Sequence, residues 1–127
     1  QNSVPESAPG RGMKTTKPTP SFRVLDTSYE LISALVPVVA AVGRHDRSLR
    51  DQLRRAATSI PLNLAEGFGQ QGGHKKQRFS TALGSAREVT AILEVARRWQ
   101  YVSVADAADA ARLLDSVAAM TYRLVHR

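Results

Sequence analysis

The spacing of apolar residues constrains the fold of this chain more than any other feature. From Phe22 onward they recur every three or four positions, the period of an amphipathic α-helix, and no segment alternates with the period of two typical of strands. The pattern breaks at residues 43–46, at the glycines between 67 and 73, and near residues 100–103. Four helices with short turns predict an all-α fold, an antiparallel up-down four-helix bundle over residues 22–127.

Each predicted helix has a stripe of side chains that we expect to face the core. The first helix, 22–42, is predicted to bury Leu25, Tyr29, Ile32, Val36 and Val39. The second begins at an N-cap, Ser48, and is predicted to bury Leu49, Leu53, Ala57, Ile60 and Leu64. The third ends near residue 100 and is predicted to bury Phe79, Leu83, Ala86, Thr90, Leu93 and Ala96. The fourth starts at Ser103 and is predicted to bury Ala107, Ala111, Leu114, Ala118 and Val125. Prolines inside the first two helices, Pro37 and Pro61, predict a bend in each.

The first 21 residues differ in composition from the rest of the chain. Four of the six prolines lie there among serines and threonines, with few apolar side chains. Such a segment has too little apolar surface to offset the entropy of ordering it, so we predict a disordered tail over residues 1–21. Met13 is a candidate for the native start residue.

Charge is the main indication of function. The chain carries 18 Lys and Arg against 11 Asp and Glu, a formal net charge of +7 at pH 7. Residues 44–55 hold five arginines against two aspartates, and residues 74–99 hold six basic side chains against two glutamates. Residues 103–127 hold three of each sign. The excess therefore lies on the two middle helices, and we expect a polyanionic partner such as nucleic acid.

An edge of the second helix is the most regular basic feature. Arg47, Arg50 and Arg54 follow an i, i+3, i+7 spacing, so they lie along one line and can follow a phosphate backbone. The residues expected to contact the backbone of RNA or DNA, with little sequence preference, are Arg47, Arg50, Arg54, Lys75, Lys76, Arg78, Arg87 and Arg98. Two alternatives stay open: an ordinary solvated surface, or an assembly or adaptor protein whose basic face binds an acidic protein.

Other side chains predict a homo-oligomer. Ile92, Val95 and Trp99 lie beside the core stripe of the third helix, and a monomer would expose them unless the bundle buried that sector itself. A polar line on the second helix is either exposed or buried between helices or subunits, where Arg55 would pair with Glu66 or Glu88. The predicted oligomer interface comprises Arg55, Ser59, Asn63, Glu66, Ser85, Glu88, Ile92, Val95 and Trp99.

Catalytic and membrane functions find little support in the sequence. The absence of cysteine excludes thiolate metal sites and cysteine nucleophiles, and no glutamate is followed three residues later by the histidine that a di-iron bundle needs. His45, His74 and His126 fall in turns or at the terminus, and the glycine-rich turn lacks the Gly-Lys-Ser/Thr of a phosphate-binding loop. We therefore predict no catalytic residue, no metal and no cofactor. No uninterrupted apolar run of about 18 residues is present, so we expect a cytoplasmic protein with no membrane partner.

Two strings resemble a known family. Residues 53–67 read LRRAATSIPLNLAEG and residues 79–88 read FSTALGSARE. Together they resemble the four-helix-bundle proteins encoded in 23S rRNA intervening sequences, a family that includes the accessory protein of diversity-generating retroelements. The resemblance covers residues 24–125 and implies a cytoplasmic bacterial protein without enzymatic activity. It also implies a homopentamer with a basic surface that binds nucleic acid and, in the retroelement branch, a reverse transcriptase partner. The chain departs from the family pattern at Gln70 and Gln71, where relatives have a basic residue, and in the turn 42–47, which replaces a Phe-Pro-acidic turn.

Overall fold

The computed structural model describes residues 20–127, with side chains from Arg23 onward. They form four α-helices: α1 (Pro20–Gly43), α2 (Arg47–Phe68), α3 (Gly72–Arg98) and α4 (Val104–Val125). The all-α four-helix prediction is confirmed. The predicted disordered tail lies outside the described residues, except for its last two residues, which begin α1.

The four helices pack as a closed ring. Each helix contacts its neighbours in chain order, and α4 packs back against α1. Short turns make consecutive helices antiparallel, which gives the bundle two distinct ends. We call the end that holds residues 43–47 and 98–104 the two-turn end, and the end that holds residue 20, residues 68–72 and residue 125 the one-turn end.

The core stripe of α1 lies one residue away from the predicted one. Its buried members are Val24, Ser28, Leu31, Leu35, Val38, Ala41 and Val42. Tyr29 and Val36, predicted to be buried, are 51% and 64% exposed. The prediction was wrong because α1 has two adjacent apolar stripes and the buried one contains a serine. The Ser28 hydroxyl donates to the carbonyl of Leu25 at 2.6 Å, which satisfies it in the core.

The core face of α2 matches the prediction. Leu53, Ala57, Ile60 and Leu64 are all buried. The helix starts earlier than expected, because Asp46 and not Ser48 is its N-cap: the Asp46 carboxylate accepts from the backbone N–H of Leu49 at 2.9 Å.

The core faces of α3 and α4 rotate relative to the predicted stripes. In α3, Phe79, Leu83 and Ala86 are buried as predicted, but further along Val89 and Ile92 are buried and Thr90 is exposed. In α4 the Ser103 N-cap is confirmed by a 3.0 Å bond from the N–H of Asp106. The residues buried in α4 are Ala110, Leu113, Leu114, Val117, Thr121, Leu124 and Val125, while Ala111 is exposed. Both core faces follow a repeat close to 3.5 residues, typical of helices that coil around each other, and a 3.6-residue stripe drifts away from it.

Helix α1 also contains a stretch, Arg23–Gly43, that is long and apolar enough to span a membrane. In this structure the stretch packs against α2 and α4 and supplies part of the core. A core helix with a second apolar stripe meets the same criterion, so this one helix is weak evidence for a membrane span.

Replacing Thr121 by valine is expected to stabilise the bundle. Thr121 is fully buried, and its Oγ1 has no hydrogen-bond partner among the described residues. Valine keeps the shape and removes the unsatisfied hydroxyl, so the free energy of unfolding should rise by about 1 kcal/mol. Urea denaturation measures this change in the free energy of unfolding. Ser28→Ala is the matched control: it removes a buried hydroxyl that does have a partner and should not stabilise, and loss of stability in Thr121→Val would contradict the expectation.

Candidate nucleic-acid interface

The predicted arginine edge of α2 forms at the two-turn end and continues toward the middle of the helix. Arg47 and Arg54 are exposed and make no ion pair within residues 23–127. Arg50 is more enclosed, and its Nε lies 3.0 Å from the Asp51 carboxylate. The edge therefore offers two uncompensated guanidinium groups and a third whose charge is partly balanced.

The basic residues of α3 include a second line. Lys76, Arg87 and Arg98 are eleven residues apart, about three helical turns, so they lie on one side of α3 at intervals of about 16 Å. All three are exposed. Arg98 and Arg97 both bond the Glu94 carboxylate at 2.7 Å, and these hydrogen bonds lower the pKa of Glu94. Glu94 thus stays ionised and balances one of the two arginine charges.

The two basic lines do not form one surface. The hydroxyls of Ser59 and Ser85 are 2.8 Å apart, which marks the sides of α2 and α3 that face each other. At about 100° per residue, both lines lie about 120–180° around their helices from these serines. The α2 edge lies toward α1, where a Cβ on Gly43 would be 2.7 Å from Arg50 Cδ. The α3 line lies toward α4, with which Glu94 shares a groove.

A third basic group lies at the one-turn end. Lys75 is half-buried, whereas Lys76 and Arg78 are exposed, and Arg78 donates to the Asn63 side chain at 3.4 Å. Beside them is a polar cavity of about 530 Å³, lined by Gln70, Gln71, His74, Gln77, Arg78 and Thr81. The length of α2 separates this group from Arg47 by about 30 Å. The eight predicted contact residues are therefore distributed over two flanks and two ends.

The polar line of α2 contacts α3 within the same chain. Asn63 donates to the carbonyl and to the hydroxyl of Ser59, both at 2.9 Å, and that hydroxyl meets Ser85. Glu66 accepts from Gln70 at 3.0 Å. Arg55 makes no ion pair within residues 23–127, so it does not pair with Glu66 or Glu88 of its own chain, and such a pair between subunits stays a prediction. Arg55 is exposed and lines one groove together with Ser59 and Asn63, on the same side of α2. A role for these side chains between subunits stays a prediction.

The predicted apolar second face of α3 is smaller than expected. Ile92 is only 6% exposed and belongs to the core of its own bundle, so the prediction that it faces a second subunit is wrong. Its burial follows from the 3.5-residue repeat of α3. Val95 and Trp99 are 44% and 66% exposed, and Glu88 is exposed as well.

The turn that follows α3 brings together aromatic residues that the sequence analysis did not connect. The ring centroids of Trp99 and Tyr101 are 6.3 Å apart, and those of His45 and Tyr101 are 4.9 Å apart. Tyr101 and His45 come from different turns, 56 positions apart, so no local pattern indicates the contact. The available signal was weak: a tryptophan and a tyrosine next to one break in the helical pattern.

The histidines do not assemble a catalytic or metal site in the described part of the chain. His45 stacks on Tyr101, His126 packs against Tyr122, and His74 lines the polar cavity. No group of three or more histidine, aspartate or glutamate side chains among residues 23–127 is arranged to bind a metal ion.

Comparison with known proteins identifies the family. Residues 21–123 match the model of the 23S rRNA-intervening sequence protein family. The fold is similar to the crystal structure of a protein of unknown function from the S23 ribosomal protein family of Bacteroides thetaiotaomicron, with a TM-score of 0.74 and 20% identity over 82% of this chain and 99% of that one. No curated protein matches the chain. Because the family model covers most of the sequence, this four-helix bundle belongs to the 23S rRNA-intervening sequence protein family.

Proposed function

We propose that this protein is a non-enzymatic accessory protein of the cytoplasm that binds the backbone of RNA or DNA through its basic helix surfaces. The observation that carries the proposal is the arginine edge of α2, where Arg47 and Arg54 are exposed without an acidic partner among the described residues. Arginine binds phosphate oxygens through several N–H groups at once, and such contacts release counterions from the nucleic acid.

The division of basic residues between two flanks affects how a nucleic acid can bind. A straight duplex can contact the α2 edge or the α3 line of one chain, but not both. Simultaneous contact requires either a folded or bent nucleic acid or several copies of the protein. We therefore propose a structured RNA as the preferred ligand and a homo-oligomer as the binding form, since repeated weak sites add up to avidity.

Exposed apolar residues support the homo-oligomer. Tyr29 and Val36 lie on the outer stripe of α1, seven residues and two turns apart, and both are mostly exposed. A second copy is the proposed cover for this stripe. Five subunits and a reverse transcriptase partner are the form suggested by the resemblance to retroelement accessory proteins. Light scattering counts the subunits, and a monomer at all concentrations would contradict the oligomer.

Titration of a fluorescently labelled, structured RNA at rising salt tests the nucleic-acid proposal. We expect binding at low salt, with a log affinity that falls linearly with log salt concentration. No binding at low salt would refute the proposal.

A groove on the outside of α2 favours the second candidate function, an adaptor that binds an acidic protein. The groove has a volume of about 530 Å³ and places the 64% exposed Leu62 next to Arg54 and Arg55. An apolar anchor bordered by arginines is typical of protein interfaces. Co-purification distinguishes the two functions, because nucleic acid absorbance favours the first and a stoichiometric acidic protein favours the second.

A further inference from the structure

Three aromatic rings lie almost parallel at the two-turn end of the bundle. Tyr101 is stacked with His45 at an interplanar angle of 6° and with Trp99 at 16°. We call His45, Tyr101 and Trp99 the aromatic row. Trp99 is 66% exposed, so much of its ring surface is free to stack with another flat group.

The backbone turn that carries Trp99 and Tyr101 is held by hydrogen bonds but is strained. The N–H groups of Gln100 and Tyr101 bond the carbonyls of Arg97 and Ala96, both at 2.9 Å, in the pattern that closes many helices. Such a helix end needs one residue in the left-handed backbone conformation, which is usually glycine. Here that residue is Gln100, with φ of 65°. A non-glycine residue in this conformation costs about 1 kcal/mol. The strained residue lies between the two aromatic residues and reverses the chain there, so that both rings reach the same end of the bundle.

Arginines lie within two residues of the aromatic row in the sequence. Arg44 precedes His45, and Arg47 follows it after Asp46, whose carboxylate accepts from the N–H of Leu49. Arg44 and Arg47 are exposed and make no ion pair within residues 23–127. Arg98 is exposed in the last turn of α3 and shares Glu94 with its neighbour. Flat aromatic surface surrounded by positive charge is the combination with which proteins bind single-stranded nucleic acid. The rings stack on bases, and the cations attract the adjacent phosphates.

The same arginines disfavour a two-fold contact between copies of the chain at this end. Such a contact would bring the row of one copy against the row of another and place Arg44, Arg47 and Arg98 of both copies close together. Like charges at an interface oppose association, whereas a phosphate-bearing ligand is attracted. A nucleic acid is therefore a more suitable partner for Trp99 than a two-fold-related copy of the chain.

We propose that the aromatic row binds an unstacked nucleobase of a single-stranded nucleic-acid segment, with Trp99 as the ring on which the base stacks. The inference rests on the proposed nucleic-acid function and specifies its ligand: a loop or single-stranded region, which can extend a base, and not a continuous duplex, which cannot.

Trp99 is the only tryptophan of the chain, so its own fluorescence reports stacking at this site. The full chain is titrated with a uridine-rich single-stranded RNA of about 12 nucleotides, and separately with an RNA duplex of similar length. A dye on the RNA reports total binding by anisotropy. We expect quenching of Trp99 emission that saturates together with the anisotropy for the single strand, and little quenching for the duplex.

Variants test whether stacking on Trp99 contributes to the affinity for a single strand. Trp99→Leu should weaken single-strand affinity about 5- to 100-fold and leave duplex affinity unchanged. Trp99→Phe should restore most of the loss, because the phenyl ring still stacks. Tyr122→Leu is the matched control: Tyr122 is an exposed aromatic residue, 48% exposed, near Arg123 at the opposite end, and its loss should change neither affinity.

The remaining outcomes overturn the inference in distinguishable ways. Anisotropy without quenching would show that nucleic acid binds elsewhere, which refutes the aromatic site and leaves the proposed function intact. No anisotropy change with either RNA would refute both. If Trp99→Leu lowered the subunit count and left RNA affinity unchanged, Trp99 would be an oligomer contact and the inference would be wrong.

Discussion

Reversing Arg47, Arg50 and Arg54 together to glutamate is expected to weaken RNA binding by at least about 100-fold at low salt while the bundle stays folded. Three phosphate contacts are lost, and three new negative charges repel the same backbone. The fold should tolerate the change because none of the three side chains belongs to the buried core. Anisotropy titration measures the affinity, and circular dichroism checks the helices.

A control variant separates the effect of the α2 edge on RNA affinity from the effect of the overall charge. Arg112, Arg123 and Arg127 changed to glutamate alter the net charge equally but lie in the segment 103–127, whose charges balance. An equal loss of affinity in both variants would mean that the field of the whole protein, and not the α2 edge, attracts the RNA. The neutral alanine triple at the edge should also reduce the slope of log affinity against log salt by about 2–3. Arg50 should contribute least to this slope, because Asp51 already balances it.

Replacing Gly67 by alanine is expected to lower the free energy of unfolding by about 1–3 kcal/mol. An added Cβ would lie 2.6 Å from Cε1 of Phe79, a ring that is only 2% exposed and also packs against Phe68. Because this ring is buried, we expect α2 and α3 to separate slightly. The gain in helix propensity, at most about 1 kcal/mol, offsets only part of this loss. Thermal and urea denaturation measure the effect.

Gly84→Ala is the matched control for this packing effect. Gly84 lies inside α3, and an added Cβ there would meet nothing within 4 Å. It should stabilise by about 0.5–1 kcal/mol through helix propensity alone. Phe79→Leu provides a second check, because the smaller side chain makes room for alanine at 67. The losses from the two changes should then be less than additive by about 1 kcal/mol, and full additivity would contradict the proposed contact.

The fold was largely predictable because its elements depend on local patterns. Four helical segments, their breaks and the Ser103 cap all follow from residues close together in the chain. The rotation of the helices was less predictable, since it depends on neighbouring helices. In α1, a buried serine made the exposed stripe of Tyr29 and Val36 look more apolar than the core stripe. Nothing in the sequence indicates that the hydroxyl of Ser28 donates to a carbonyl of its own helix and can therefore be buried.

The exposure of most candidate residues was predictable one by one, but their arrangement was not. The exposure of Arg47, Arg54 and Arg87 follows from the helical period and their charge. That the α2 and α3 lines diverge depends on which sides of the two helices meet, a fact fixed by contacts such as Ser59 with Ser85. The aromatic row could not be predicted from the sequence for a similar reason. The fold brings together two turns far apart in sequence, and the residue that shapes one of them is a glutamine where glycine is the usual signal.

The antiparallel ring places the start of α1 and the end of α4 together at the one-turn end. Any tag, fusion partner or surface linker joined after α4 therefore extends from the side of the molecule remote from His45, Tyr101 and Trp99. The length of the helices, about 33 Å, separates such an attachment from the rings. Immobilising the protein through its C-terminal end for binding measurements should leave the aromatic row accessible.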